Sequence, residues 1–250
     1  MTSRTDAQPK FAPHLAQWAL VLWVLFLLWS ALAAILFPLK IGDLAVTRWL
    51  AGDSPTAHQT GPGLALAWLL RQFDLIWIVL AFANLYLFTV RTDGLAAARR
   101  WFAILLGSTF FLACLNAATG FPFGDCFYSQ RLGIKFFGWV PVGLPLFWTV
   151  VILSAFHAAR LLVAKTRPLS PAAMAAVVGS LTGLTAWNLE KIALLRHYWR
   201  GESWFPVWGL VGFLLYFTLR GGRVAPVPLP QPLIILGAFN FVFLLFHLFA

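Results

Sequence analysis

Residues 119–145 read TGFPFGDCFYSQRLGIKFFGWVPVGLP and separate two long apolar runs. Several glycines and Pro122 interrupt any helix here, because glycine frees the backbone and proline cannot complete the helical hydrogen bonds. The stretch is also too aromatic for a solvated loop, with Phe121, Phe123, Phe127, Tyr128, Phe136, Phe137 and Trp139. We call it the central segment and predict a membrane-interface segment or a partly re-entrant hairpin rather than a spanning helix.

The composition of the whole chain is that of a membrane protein. Of its 250 residues, 61% are hydrophobic and only 10% are charged, and the mean hydropathy is +0.82. Soluble domains carry about 25% charged residues. Apolar runs near the ~20 residues needed to cross a bilayer recur along the length. We therefore predict one integral membrane domain, residues 1–250, folded as an all-α helical bundle.

About seven transmembrane helices are expected. The apolar runs place them at residues 15–37, 64–90, 101–118, 142–163, 172–195, 204–219 and 233–249. A short interfacial helix is also expected at residues 44–50. The fifth run contains Gly179-Ser-Leu-Thr-Gly183, in which small residues four positions apart predict a close approach between two helices.

The formal net charge of +10 does not indicate nucleic-acid binding, because the basic residues are scattered over short loops and form no contiguous patch. Membrane orientation accounts for them better. With the N-terminus in the cytoplasm, the inner segments hold ten Lys and Arg residues, and the outer segments hold six. The positive-inside rule then predicts a protein of the cytoplasmic membrane with its N-terminus inside and its C-terminus outside.

Three acidic residues are candidates for chemistry, because an ionisable group inside a bilayer is costly. Asp74 is the deepest, Glu190 lies near the outer end of the fifth helix, and Asp125 lies in the central segment. Each also has a structural interpretation. Asp74 can pair with Arg71. Glu190 can pair with Lys191 or Arg196, and Asp125 can cap a turn.

Metal, haem and redox cofactors are not predicted. His157 and His247 have no second histidine at a metal-ligand spacing, so both are interpreted as packed or interfacial residues. Cys114 and Cys126 form neither a ligand motif nor a disulfide framework. The tryptophans are mostly packing and membrane-belt residues. Together with a buried acid, however, they would provide the surroundings needed to protonate an alkene and shelter the resulting cation.

The central segment and the helix after it resemble the membrane-bound carotenoid biosynthesis family, which includes bisanhydrobacterioruberin hydratase and the γ-carotene hydratases. The residues that carry the resemblance are Thr119, Gly120, Pro122, Phe123, Gly124, Tyr128, Leu132, Gly133, Val140, Pro141, Pro145, Leu146 and Trp148. The chain departs from the family pattern at Cys126, where the pattern has a tyrosine, and at Asn188, where it has an acid. It is therefore identified as a divergent member.

The resemblance implies a hydratase that adds water to the terminal double bond of an acyclic carotenoid by acid catalysis. Asp74 or Glu190 would donate the proton, and Tyr128 would orient the water. The substrate contacts implied are Phe123, Trp139, Trp148, Trp187 and Asn188. No cofactor is required for this reaction.

Two other functions remain open from the sequence. A non-catalytic carotenoid-binding protein, or a structural subunit of a membrane complex, is indicated by Asn188 in place of an acid. A small-solute transporter is indicated only by Arg71 and Asp74, and the sequence has no internal repeat of the kind found in transporters. The expected partners are a carotenoid or other long isoprenoid, the lipid bilayer and the proteins of a membrane complex.

Overall fold

The computed structural model describes residues 13–36, 72–124, 127–128, 132–163, 169–195, 199–200, 205–219 and 230–249. Seven helices lie in these ranges: α1 Pro13–Leu36, α2 Phe73–Asp93, α3 Leu95–Thr119, α4 Gly143–Val163, α5 Pro171–Leu195, α6 Phe205–Leu219 and α7 Gln231–Phe249. Four two-residue strands accompany them: β1 Phe127–Tyr128, β2 Lys135–Phe136, β3 Val140–Pro141 and β4 Trp199–Arg200.

The predicted all-α membrane bundle is confirmed. Six of the described helices are long and apolar enough to cross a bilayer, and α6 is shorter at 15 residues. Two helices begin at other residues than predicted. Helix α2 begins at Phe73 and not at residue 64, so Asp74 lies in its first turn and not deep within a span. Helix α3 begins at Leu95 and not at Trp101. Residues 95–100 read LAAARR, and alanine and arginine are strong helix formers. A hydropathy reading ends the span at the charged residues, but the helix continues through Arg99 and Arg100, which are exposed.

Helix α4 lies at the centre of the bundle. It packs against α2, α3, α5 and α7, and every residue from 151 to 160 is buried. Of the 20 residues 143–162 of α4, 17 are buried, whereas only Phe26, Ser30 and Ala33 are buried among the described side chains of α1. Helix α4 carries the polar residues His157 and Arg160, and such residues in a membrane helix face the interior of the bundle rather than lipid, which explains the central position of α4.

Helices α5 and α6 pack through glycine, as the Gly179-to-Gly183 spacing predicts. A Cβ atom added to Gly179 would lie 2.8 Å from the backbone oxygen of Gly209 on α6. One added to Gly209 would lie 3.5 Å from the Cα atom of Gly183. The backbones of the two helices are therefore in direct contact, which is possible only with small residues.

The central segment folds over one end of the bundle. Helix α3 stops at Gly120, whose left-handed backbone (φ 72°) caps the helix as its N–H donates to the Asn116 carbonyl at 2.8 Å. Strands β2 and β3 then form a small antiparallel hairpin, and β1 pairs with β4 in the α5–α6 connection. The N–H of Gly143 donates to the Leu132 carbonyl at 2.8 Å and joins the segment to the start of α4. We call this end of the bundle the segment end.

The central segment has an inner face and an outer face. Phe123, Tyr128, Leu132, Val140 and Pro141 are buried against the helices. The outer face exposes large apolar side chains, namely Phe121, Phe127, Ile134, Phe136, Phe137 and Trp139. The segment is thus neither a spanning helix nor a polar loop, and its location at a membrane interface stays a prediction.

Some of the predicted features involve residues outside the described ranges. They are the Arg71–Asp74 and Glu190–Arg196 pairs, Asp125, Cys126 and the interfacial helix at residues 44–50. The side chain of Lys191, the other predicted partner of Glu190, is also outside the described part of the chain.

Gly179→Ala is expected to destabilise the protein by about 1–3 kcal/mol, because the new methyl group collides with the backbone oxygen of Gly209. Thermal unfolding of the purified protein in detergent micelles measures the change. Gly107→Ala is the matched control, since a Cβ at this helical glycine meets nothing within 4 Å. The control should be neutral or should stabilise by up to about 1 kcal/mol through helix propensity. Equal effects of the two substitutions would contradict a glycine-mediated α5–α6 contact.

Candidate functional site

Asp74 lies at the segment end. Helices α2 and α4 run parallel, because Leu75 at the start of α2 contacts Gly143 at the start of α4, while Asp93 and Arg160 meet at the other ends. Leu75 also packs on Gly133 of the central segment. Asp74, the preceding residue, is 6% exposed. The structure therefore places Asp74 inside the protein, at the end of α2 that the central segment covers.

Three aromatic rings from three different elements form an aromatic stack at the same end. The ring of Trp208 on α6 stacks on Phe123 of the central segment, with centroids 4.4 Å apart and planes 8° apart. The same indole stacks on Trp148 of α4 at 3.7 Å and 12°. Such pairs add about 0.5–1.5 kcal/mol each beyond burial of their area. The stack thus fixes the segment against α4 and α6.

The aromatic contacts continue from the stack to the face of α2 that carries Asp74. Trp148 contacts Phe147 edge to face at 5.2 Å, and Phe147 contacts Phe239 of α7 at 5.4 Å. Phe239 in turn lies 4.4 Å from Trp77. Trp77 follows Asp74 by three residues, so the two share a helix face. We call the connected set Trp77, Phe239, Phe147, Trp148, Trp208 and Phe123 the aromatic row.

The other predicted site residues have different environments. Tyr128 is buried on β1, where it pairs with Trp199 of β4. Trp139 and Trp187 are 54% and 58% exposed, so their rings lie on the surface and outside the aromatic row. Glu190 is half-buried on α5, five residues before the helix ends at the segment end. The structure thus brings Asp74, Phe123, Trp148 and Tyr128 to the same end as Glu190 but leaves the two other tryptophans facing outward.

Asn188 belongs to a hydrogen-bonded polar link between α5 and α7. Its Nδ2 donates to Oδ1 of Asn240 at 2.7 Å, and Nδ2 of Asn240 donates to the Thr185 hydroxyl at 2.9 Å. Nε2 of His247 donates to the Asn188 carbonyl at 2.9 Å. Asn240 was not predicted as a site residue, although it is a lone amide in an apolar run. The Asn188 amide thus helps to hold α5 and α7 together.

A buried polar cluster lies at the opposite end of α2 and α4. Nη1 of Arg160 donates to a carboxylate oxygen of Asp93 at 2.8 Å, and both side chains are almost fully buried. Nδ1 of His157 lies 3.3 Å from the same guanidinium nitrogen. The Thr89 hydroxyl donates to the Leu85 carbonyl, so it accepts from Nε2 of His157 at 3.2 Å. These contacts require the neutral tautomer of His157 with the proton on Nε2.

Only His157 of this polar cluster is a candidate residue from the sequence. His157 is completely buried among the rings of Phe88, Trp101 and Phe156, so its interpretation as a packed histidine is confirmed. Asp93 and Arg160 were missed as a pair, because each lies near the end of a helix where a solvated charge is ordinary. The available signal was Arg160 three residues after His157, on the same helix face. Among the described residues, no group of three His, Cys, Asp or Glu side chains is placed to hold a metal ion.

Comparison with known proteins identifies the family. The family model described as "Carotenoid biosynthesis protein" matches residues 73–203, which is just over half of the 250-residue chain. The chain therefore belongs to the carotenoid biosynthesis protein family. The match includes α2 to α5, the central segment, Asp74 and Glu190. No curated protein and no solved structure matches the chain.

Arg160→Gln is expected to destabilise the protein by about 3–5 kcal/mol, because it leaves the buried Asp93 carboxylate without its cationic partner. Unfolding in detergent micelles measures the loss. Arg99→Gln, an exposed arginine on α3, is the control and should change stability by no more than about 0.5 kcal/mol. Adding Asp93→Asn to Arg160→Gln should restore part of the stability, since the unpaired charge is removed. A double variant as unstable as the sum of the two single variants would contradict the ion pair.

Proposed function

We propose that this member of the carotenoid biosynthesis protein family is a hydratase, which adds water to the terminal double bond of an acyclic carotenoid end. The observation that carries the proposal is the aromatic row, which runs from the face of α2 that holds Asp74 to Phe123 of the central segment. A hydrocarbon end needs an apolar, aromatic environment, and its protonation needs an acid on the edge of that environment.

In the proposed reaction, Asp74 is the general acid. Its carboxyl proton passes to the less substituted alkene carbon, and the π electrons form the new C–H bond. The neighbouring carbon becomes a tertiary cation, which the faces of the Trp77 and Trp148 rings would stabilise electrostatically. A water oxygen then bonds to the cation, and one proton of that water returns to the carboxylate. The sum is alkene plus water giving a tertiary alcohol, so no redox cofactor takes part.

Glu190 is the second candidate acid. It is half-buried, whereas Asp74 is buried on the face of Trp77, and this difference favours Asp74 as the proton donor. We propose Tyr128, buried in β1, as the residue that orients the water. Trp139 and Trp187 are exposed, so we propose that they contact the length of the polyene outside the bundle core. A polyene is far longer than its reacting end, which makes such outer contacts reasonable for the substrate.

The proposed orientation has the N-terminus in the cytoplasm and the C-terminus outside. It rests on the excess of basic residues in the segments that would then be cytoplasmic. In this orientation the segment end, with Asp74 and the aromatic stack, lies at the outer surface of the cytoplasmic membrane. A water molecule would reach the reacting carbon from that side.

The alternative function is a carotenoid-binding or structural subunit without catalysis. Asn188 favours it, because its amide bonds to Asn240 and stands where the family pattern has an acid. In that case pigment would co-purify unmodified with the protein, in a complex with other membrane proteins.

Expression in cells that accumulate an acyclic carotene tests the hydratase. The wild-type protein should yield a product one water heavier, with a tertiary hydroxyl group detectable by mass analysis. Asp74→Asn should lower product formation by about 100-fold or more, as loss of a general acid does. Glu190→Gln should have the smaller effect, and Asp74→Glu should retain part of the activity.

Each variant needs a control for folding, for which yield and elution from a sizing column in detergent are suitable. Unchanged carotene in cells with folded wild-type protein would refute the hydratase. Pigment that co-purifies unmodified, in equal amounts with the wild type and both acid variants, would support the non-catalytic alternative.

A further inference from the structure

We infer that the β2–β3 hairpin is immersed in the hydrocarbon layer of the membrane, and that its tip contacts lipid acyl chains. The partner of this surface is the leaflet at the segment end, in whichever direction the chain crosses the bilayer. A segment at the membrane interface would instead hold the hairpin among headgroups and water. The inference rests on the membrane-spanning helices and not on the proposed hydration step.

The depth of the hairpin follows from its contact with α3. The ring of Phe136 on β2 packs edge to face on Phe110 of α3, with centroids 5.3 Å apart. Residues 101–119 of α3 carry no charged side chain, and the exposed Arg99 and Arg100 precede them. Phe110 follows Arg100 by ten residues, which is about 15 Å along the helix. This is half of the ~30 Å hydrocarbon thickness, so the Phe136 ring lies well inside the layer.

A second contact gives a consistent depth. The hydroxyl oxygen of Thr109 lies 3.3 Å from the carbonyl oxygen of Pro145, in the first turn of α4. Pro141, the last residue of the hairpin, is at most about 10 Å from Pro145 along the helix axis, since only four residues separate them. Helix α3 continues for about 15 Å beyond Thr109 before it ends at Thr119. The hairpin therefore lies beside the membrane-crossing part of α3 and not beyond its end.

The tip of the hairpin presents an aromatic ring from a strained backbone. The N–H of Trp139 donates to the Phe136 carbonyl at 2.9 Å, and Phe137 and Gly138 between them have φ of 50° and 75°. A two-residue turn of this kind favours Asn-Gly, because a residue with a Cβ is strained at positive φ. Phe137 nevertheless occupies the turn and is 90% exposed. Burial of the ring among acyl chains offsets the strain, whereas exposure to water does not.

The polar groups of the hairpin are compatible with this depth. Non-helical backbone inside a membrane needs hydrogen-bond partners within the protein. The N–H of Val142 donates to the Ile134 carbonyl at 3.0 Å, and strands β2 and β3 pair with each other. Lys135 is half-buried, and its long stem lets the ammonium group extend towards the headgroups. The rest of the outer surface is apolar, with Ile134 85% and Trp139 54% exposed.

The test measures the depth of a nitroxide spin label on the full chain in lipid nanodiscs. Cys114→Ala and Cys126→Ser remove the native thiols, and Phe137→Cys carries the label. Collision of the label with oxygen, which concentrates in hydrocarbon, is compared with collision with a neutral, water-soluble nickel chelate. The oxygen-to-chelate ratio should exceed that of a water-exposed label by about ten-fold or more, because polar solutes partition poorly into hydrocarbon.

Three further labelled positions complete the measurement. Phe111→Cys, on the exposed face of α3 beside Phe110, is the hydrocarbon reference. Leu169→Cys, exposed between α4 and α5 at the opposite end of the bundle, is the water reference. Ile134→Cys is a second reporter on the hairpin that leaves the turn unchanged, so it tests the inference if Phe137→Cys does not fold.

Hairpin labels whose ratio matches position 111 would support immersion in the hydrocarbon. A ratio closer to that of position 169 would place the tip in water and would overturn the inference, while leaving the hydratase proposal standing. An immersed hairpin in a protein that yields no hydrated product in cells would support this inference and refute the hydratase.

Discussion

The fold depends on the burial of α4 among four other helices. Because residues 151 to 160 are all shielded, a charged side chain among them needs its partner inside the protein. Arg160 pairs with Asp93, and His157 with Thr89, which fixes α2 against α4. At its other end, the start of α4 carries the hairpin of the central segment and contributes Trp148 to the aromatic stack. The position of α4 thus sets the position of the candidate site.

Much of this architecture could be predicted from the sequence, because a helix that crosses a bilayer needs a long apolar run. The glycine spacing of α5 likewise identified a real close contact. The candidate site was harder to predict from the sequence. Trp208 lies at the start of α6 and looks like any membrane-belt tryptophan, yet it joins Phe123 to Trp148. Asp93 and Arg160 are 67 residues apart, and no local pattern shows that they meet. Such pairings depend on how helices are arranged in space, which periodicity does not encode.

Most of the residues that carry the family resemblance are buried or half-buried, although Thr119 is exposed. Phe123, Tyr128, Leu132, Val140 and Pro141 all lie on the buried face of the central segment. Ile134, Phe137 and Trp139, which lie outside the pattern, are exposed. The resemblance in this segment therefore lies mainly in residues that pack against the helices. Asn188 on α5 also has a packing role, since its amide hydrogen-bonds to Asn240 of α7.

The ion pair between Asp93 and Arg160 is one of two contacts that fix α2 against α4. The other is the contact of Leu75 with Gly143, at the opposite ends of the same two helices. Asp74 is next to this second contact and about 30 Å along α2 from the ion pair, at 1.5 Å of rise per residue. Because α2 is held at both ends, any tilt of α2 relative to α4 must break one of the two contacts. The position of Asp74 is therefore set by a polar contact at one end of its helix and an apolar contact at the other.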